Sequence, residues 1–512
     1  MKAIQSQKEV KIMKKILFMT LLLLYVFILI SCTQNTTEKL ITIDYYEITK
    51  TVTIGQIPLE ENDLIAMVDL GGTHSIALSS SGRVFSWGYN NKGQLGDGTT
   101  IRTLTPVEIT QQFSLEQDDK IISVALGDMH SAALSSKGRL FTWGWNFYGR
   151  LGDGTTTNRF VPTEITSLFN LNSDEVITKV ALGVSCSAAI TSEGRLFTWG
   201  ENASGQLGDG TISNKSTPVD ITEKFELEGD EKIIDASIGY VHMGALTSKG
   251  RLSAWGNNAY GQLGNGTNNL QVNPIEITSF MDLNTAETPV SIHLGAYHTM
   301  VVTSDDRVFT WGNNTKGQLG NETLTNMTSP VDITDKLMLG TNEHIVLSSS
   351  GDSYSILVTS VGRVFSWGEN TNGQLGDGLN VNLSSPKDIT SQFNLESNEA
   401  FRLLSTGESH STLLTTYGKI IIWGDNENGK LGDNTTTDTL TPLEITLISN
   451  SQTLLKSESI SLNTTYVLYD PEKEGFEFDG WYIDAGLEDP FSSTAMSPSA
   501  NLLLYGEWVI QD

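Results

Sequence analysis

Phe85-Ser86-Trp87-Gly88-Tyr89-Asn90-Asn91-Lys92-Gly93-Gln94-Leu95-Gly96-Asp97-Gly98 reads as the end of a short strand running into a tight loop. Alternating bulk up to Trp87 suits a pleated strand with one buried face. Gly88, Gly93, Gly96 and Gly98 mark the turns that follow. The stretch recurs: Trp-Gly pairs begin at residues 87, 143, 199, 255, 311, 367 and 423, each 56 residues after the last. Seven copies without an insertion or deletion mean one supersecondary unit stacked or wound into a ring.

One unit shows the parts. Ile121-Ile122-Ser123-Val124-Ala125-Leu126 is a β-rich run ending at Gly127, and His130-Ser131-Ala132-Ala133-Leu134 follows. After the Lys137-Gly138 turn come Arg139-Leu140-Phe141-Thr142-Trp143-Gly144, then Gly149 to Gly154, and finally Val161-Pro162-Thr163-Glu164-Ile165-Thr166. Four short, Gly- and Pro-punctuated strands per unit predict a propeller blade, and the chain an all-β, seven-bladed β-propeller. Other propeller repeats, with periods of about 40–45 or about 50 residues, fit less well.

The loops Gly93-Gln94-Leu95-Gly96-Asp97-Gly98, Gly205 to Gly210 and Gly373 to Gly378 resemble the repeat of the regulator of chromosome condensation family. The resemblance covers about residues 64–446. It implies a seven-bladed ring presenting loops to a protein partner. The nucleotide exchange known in that family is not carried over, because a secretory signal and an acidic surface argue against a nuclear role. Leu64 to Leu70 matches the first strand of a unit and nothing equivalent follows Ile445-Thr446. The expectation is a latch, with the N-terminal strand pairing with the last repeat.

Both ends carry appendages. Lys14-Lys15 precedes an apolar run, Ile16 to Ile30, that ends in Leu29-Ile30-Ser31-Cys32. This is the layout of a secretory signal, and the tetrapeptide resembles a bacterial lipobox, which implies lipidation at Cys32. A retained short transmembrane helix is the alternative. The C-terminal motifs Gly475-Phe476-Glu477-Phe478-Asp479-Gly480-Trp481-Tyr482 and Leu504-Tyr505-Gly506-Glu507-Trp508 look like an internalin-type surface repeat, implying a small β-grasp-like module. The expected domains are a signal at 1–31, a tether at 32–60, the propeller at 61–446 and the surface repeat at 447–512.

Net charge is −28, from 60 acidic and 32 basic residues. Such a surface repels phosphate backbones, so nucleic acid is a poor partner; a protein, by charge a basic one, or a neutral surface glycan fits better. Membrane contact is expected only through the N-terminal lipid, and the chain is expected to be a monomer. With Cys32 acylated, Cys186 is the only other cysteine and no intramolecular disulfide can form.

Comparing repeats sorts the polar residues. His74, His130, His242, His298 and His410 share one position, filled by Cys186 and Tyr354 in the other two units. Equivalent atoms on different blades lie too far apart for zinc, which needs ligands at about 2.0–2.3 Å, so these read as hydrogen-bonding across blades. Asp97, Asp153, Asp209, Asp377 and Asp433, with Asn265 and Asn321, read as turn caps. Gly351-Asp352-Ser353 resembles an esterase nucleophile block but is in register with the other repeat turns. No catalytic residue, metal site or cofactor is expected.

Departures from the repeat are the better guide. Where most units carry small polar residues, the second reads Trp145-Asn146-Phe147-Tyr148-Gly149-Arg150, with Tyr89 in the first unit and Tyr260 in the fourth. Trp, Tyr and Arg dominate binding hot spots, so Trp145, Phe147, Tyr148, Arg150, Tyr89 and Tyr260 are the candidate binding residues. Acidic connectors form a second feature: Glu116, Asp118, Asp119, Asp174, Glu175, Glu226, Glu228, Asp230 and Glu231. They are expected on one rim, as a solvated face or as steering for a basic partner. The reading is a cell-surface lipoprotein whose propeller mediates protein binding or adhesion. A lectin-like propeller is the alternative, and a surface hydrolase fits less well.

Overall fold

The computed structural model describes residues 63–445 and Leu59. It also describes the backbone strands Leu23–Val26, Leu40–Thr49, Ser451–Ser461, Tyr466–Val467, Phe476–Tyr482, Ala495–Met496 and Leu504–Ile510. The chain divides into two compact units, Leu59–Thr446 and, separately, Met1–Pro58 with Leu447–Asp512.

The larger unit is seven four-stranded antiparallel sheets. The first blade runs β1 (Ile65–Leu70), β2 (His74–Ser79), β3 (Val84–Gly88) and β4 (Thr103–Glu108), and the last ends at Ile445. Strands equivalent to β2 and β3 are buried along their whole length in every blade. Burial on both faces explains their near-continuous apolar runs. Among the described residues no helix is long and apolar enough to cross a membrane.

The repeated motif is an inter-blade joint. Trp143 is fully buried and donates its indole Nε1–H to the main-chain carbonyl of Gln94 in the preceding blade, at 2.9 Å. Gly96 packs on that ring: a Cβ there would lie 2.6 Å from Trp143 Nε1, and its φ is +75°. Gly88 has φ +107° and a Cβ would meet His74 Cα at 2.8 Å. Both positions therefore require glycine.

The histidines complete the joint. Ser131 Oγ donates to Gln94 O at 2.8 Å and lies 2.8 Å from His74 Nε2. Since the hydroxyl proton goes to the carbonyl, His74 must donate Nε2–H to the hydroxyl. Burial holds His74 and His242 down to about 3 and His298 down to about 4, so they are neutral imidazoles. The Asp97 turn is capped from its own side chain, Oδ1 accepting Thr99 N–H at 2.8 Å.

Ring closure differs from the expectation. The N-terminal strand β1 pairs with β2 of its own blade, and the last blade is complete without it. No latch forms. The ends meet through side chains instead: Asp69 Oδ1 accepts Ser405 Oγ–H at 2.7 Å, and Ser405 Oγ accepts Leu70 N–H at 3.2 Å. Fifty-six residues supply four strands without borrowing, so the chain closes by repeating its ordinary joint.

In the smaller unit, Leu40–Thr49 pairs antiparallel with Ser451–Ser461, so the segment read as a tether contains a strand. The two aromatic C-terminal motifs pair with each other, with Phe478 opposite Trp508 and Tyr482 opposite Tyr505, and Leu23–Val26 pairs with the second of them. Cys32 and most of the expected signal segment lie outside the described residues.

Candidate functional surface

Each blade places two turns at one end of its sheet. In the first blade they are the turn between β1 and β2 and the loop after β3, joined where Tyr89 N–H donates to Thr73 O at 3.0 Å. Connectors between blades leave from the opposite end. All six candidate residues therefore fall on one face, the loop face, and the acidic connectors on the other.

The second blade shows an aromatic ridge. Trp145 is half-buried, and Phe147, 52% exposed, stacks against it with centroids 5.9 Å apart and planes 16° apart. Tyr148 packs on Phe147 at 4.3 Å, from a backbone φ of +69°. A bulky residue in the left-handed region costs on the order of 1–2 kcal/mol, which the fold absorbs here to present the ring. Lys92 of the first blade brings its Nζ to 5.8 Å from the Trp145 ring.

Arg150 is buried beneath the ridge rather than displayed with it. It is 1% exposed, with its guanidinium carbon 4.2 Å from the Trp145 ring centre. Its Nε donates to Phe147 O at 3.0 Å and its Nη1 to Val184 O at 2.6 Å. Arg150 thus holds up the ridge from beneath. The sequence pattern could not distinguish an exposed hot-spot arginine from a buried pillar, because both stand beside aromatics.

Tyr89 and Tyr260 lie apart from the ridge's own contacts. The Tyr89 hydroxyl accepts an N–H from its neighbour Asn91. Tyr260, 38% exposed, packs edge-on against Tyr297 of the fifth blade at 5.2 Å. Tyr297 in turn stacks on Tyr240 at 5.7 Å and 20°. Tyr240 and Tyr297, absent from the sequence expectation, build a second aromatic cluster.

A cavity of about 140 Å³ opens on the ring axis, walled by the first turns of the blades. Tyr240 lines it, as do Asp128, Asp352 and Glu408. None of these carboxylates has a hydrogen-bond or ion-pair partner among the described residues. Burial, reinforced by the charges of Glu408 and Asp128, pushes Asp352 well above the usual carboxylate range. Burial also raises Asp128 and Glu408, the latter helped by Asp128. Lys430 tempers all three and Arg150 tempers Asp128 from a distance, but neither forms an ion pair with them; Lys430 pairs with Asp425 at 2.7 Å. The position of Asp128, Tyr240, Asp352 and Glu408 is Gly, Val and Ala in Gly72, Val184 and Ala296. This variability is the sequence signal that marks them, in the first turn rather than in the Trp-Gly loop.

On the opposite face the acidic connectors divide. Asp119, Glu175 and Glu231 have fully buried side chains paired with Arg139, Arg195 and Arg251 at 3.4, 2.9 and 2.9 Å, so they belong to the framework. Asp118, Asp174, Glu226, Glu228 and Asp230 remain exposed. Among the described residues no group of three or more His, Cys, Asp or Glu is arranged to hold a metal ion. Cys186 is buried, and its thiol is pushed up to about 12 by burial, which leaves it inert.

This geometry matches known proteins. The sequence model described as the RCC1-like domain matches residues 110–464, and that of the regulator of chromosome condensation (RCC1) repeat matches residues 81–134 and 65–94. The chain is similar to the ultraviolet-B receptor UVR8 of Arabidopsis thaliana, 31% identical over 75% of this chain and 82% of that protein. Human WBSCR16 shares the fold, with a TM-score of 0.61 at 23% identity over 73% of this chain and 98% of the other. So does Prp20p of Saccharomyces cerevisiae, with a TM-score of 0.60 at 22% identity over 75% and 87%. A blade repeat found seven times, a domain match across most of the chain and a relative above 30% identity place this protein in the RCC1-like domain family.

Proposed function

We propose that this chain is a non-catalytic cell-surface lipoprotein that binds or adheres to another protein through the loop face of its propeller. The observation that carries the reading is the Trp145–Phe147 stack, with Phe147 half in solvent and Arg150 buried beneath it. Rigid aromatics backed by a fixed cation make a preorganised hot spot, because little side-chain entropy remains to be lost on binding. A loop built only to close a turn has no need of three large rings where other blades carry Asn, Ala and Thr.

Surface display rests on the sequence, through the lipobox-like Leu29-Ile30-Ser31-Cys32. We assign the lipid to Cys32 and the paired aromatic strands at the C-terminus to a β-grasp-like spacer, with the protein monomeric on the outer face of the membrane. Incorporation of a labelled fatty acid into the chain, lost in Cys32→Ser, tests the anchor.

The test of the binding face is crosslinked capture with the full chain beside a Trp145→Ala/Phe147→Ala/Tyr148→Ala variant. Capture lost in the variant supports the face; equal capture by both moves binding elsewhere. A second reading, glycan capture, is favoured by the exposed Phe147 and Tyr240 rings, which suit sugar stacking. Displacement of the captured partner by soluble sugars would select it.

A further inference from the structure

The most unusual chemistry on the loop face is at the ring axis, apart from the aromatic ridge. Asp128, Asp352 and Glu408 converge on one cavity from the second, sixth and seventh blades, and no hydrogen bond or ion pair satisfies any of them among the described residues. Ser350, lining the same cavity, has its Oγ buried without a hydrogen-bond partner. A folded chain gains nothing from holding like charges together and partly dehydrated. Lys430 acts on all three carboxylates and Arg150 on Asp128 only from a distance, and such an arrangement is retained where a ligand supplies the direct ion pair.

Tyr240 belongs to two structures at once. It lines the cavity and is the near end of the Tyr240–Tyr297–Tyr260 cluster, so an aromatic track leads directly from the mouth. Tyr240 and Tyr260 are 39% and 38% exposed. Glu427 adds negative charge nearby, being among the groups that raise Glu408, whereas Glu369, which raises Asp352, is paired with Lys316 at 2.8 Å. Small residues stand between these groups, Gly72 between Glu408 and Asp128 and Ala296 between Tyr240 and Asp352, and leave the cavity open there.

We propose that the pore mouth seats an arginine side chain of an extended basic segment of a partner protein, its guanidinium among Asp128, Asp352 and Glu408 and its flanking residues over Tyr240 and Tyr297. This rests on the reading of the loop face as the protein-binding face, and adds the chemistry of the partner. Charge complementarity selects a cation, and the described carboxylates are not disposed as metal ligands. Arginine fits better than lysine because its planar fork pairs with carboxylates and stacks on aromatic faces, whereas a strongly hydrated ammonium does so less well. The net charge of −28 draws a basic segment to the face and repels an acidic one.

The test uses the full chain and a fluorescein-labelled nonapeptide alternating Arg and Gly, followed by polarisation at physiological salt. Matched Lys-Gly and Glu-Gly peptides run beside it. The expected result is binding of the Arg peptide, several-fold weaker binding of the Lys peptide and none of the Glu peptide. Asp352→Asn/Glu408→Gln should weaken the Arg peptide at least tenfold. The same variant should melt no lower than the parent, since self-repulsion is relieved, so lost binding is not lost folding. Tyr240→Ala/Tyr297→Ala should narrow the preference for Arg over Lys.

Absence of Arg-peptide binding, equal binding by the Asn/Gln variant, or displacement by submillimolar calcium would overturn the proposal. Partner capture separates the two levels. If the captured partner is lost with the Trp145 ridge but unchanged in Asp352→Asn/Glu408→Gln, the face stands and the arginine seat falls. If neither variant affects capture, both fall.

Discussion

Trp87 of the first blade donates its indole Nε1–H to the main-chain carbonyl of Lys430 in the seventh, at 2.9 Å. The same bond joins Trp143 to Gln94, Trp199 to Arg150 and Trp255 to Gln206, each at 2.9 Å. Ser75 Oγ donates to the Lys430 carbonyl at 2.7 Å, as Ser131 does to Gln94. Because the acceptor is main chain, the side chain at this position is free to vary. Arginine at 150 and lysine at 430 replace glutamine without opening the ring, and each is put to local use.

Closure by an ordinary joint has a measurable consequence. Trp87→Phe and Trp143→Phe each leave a buried carbonyl with only its serine donor, Ser75 or Ser131, at a cost of about 1–3 kcal/mol. The two variants should lose similar stability in urea titration. A far milder effect for Trp87→Phe would mean that something other than this joint holds the ends together.

How much of this was readable in the chain depends on what the repeat averages over. The 56-residue period and its Gly and Trp positions specified blade number and strand order, because those residues answer to local sterics that are the same in every blade. Closure was misread because β1, seen without its partner, looks like a spare strand. The burial of Arg150 was not readable, because burial is a tertiary property. Tyr240 and Tyr297 sit 57 residues apart on adjacent blades, and only the ring brings their first turns into contact.

The third and fourth blades contain a paired replacement. Cys186 stands at a histidine position, and the residue facing it, where other blades carry Ser or Thr, is Met243; the two share one core cluster. An imidazole at 186 would have no hydroxyl to meet. Cys186→His should therefore destabilise by about 2–3 kcal/mol, as a buried polar group left unpaired. Adding Met243→Ser should recover at least about 1 kcal/mol, measured as a double-mutant cycle. Strict additivity of the two changes would exclude the pairing.

The buried histidines make acid a specific threat. Burial holds His242 down to about 3, against a usual value near 6.5, so its contribution is intact above about pH 6.5 and is lost as the pH falls towards 3. By pH 4.5 one such group forfeits about 2–3 kcal/mol. Asp69, raised to about 6 by burial, works in the opposite sense, destabilising as the pH rises from about 4 to 6. His242→Gln should be less stable than the parent at pH 7.5, and the gap should close on acidification towards pH 4.5. A gap constant across that range in denaturant midpoints would show that His242 takes up its proton in the folded chain as readily as in the unfolded one, and is not held down by burial.

Arg150→Gln restores the residue found at this position in five blades. The main-chain carbonyl that receives Trp199 Nε1–H and Ser187 Oγ–H is untouched, so overall stability should change by less than about 1 kcal/mol. What goes is the guanidinium beneath Trp145 and its bonds to Phe147 O and Val184 O. The ridge should loosen, raising the acrylamide-quenchable fraction of tryptophan fluorescence, since the seven repeat tryptophans are fully buried and do not contribute. Partner capture should fall in parallel, mostly through faster dissociation, because the rings are still present but no longer held in place. Unchanged quenching with lost capture would instead make Arg150 a direct contact that becomes exposed on binding.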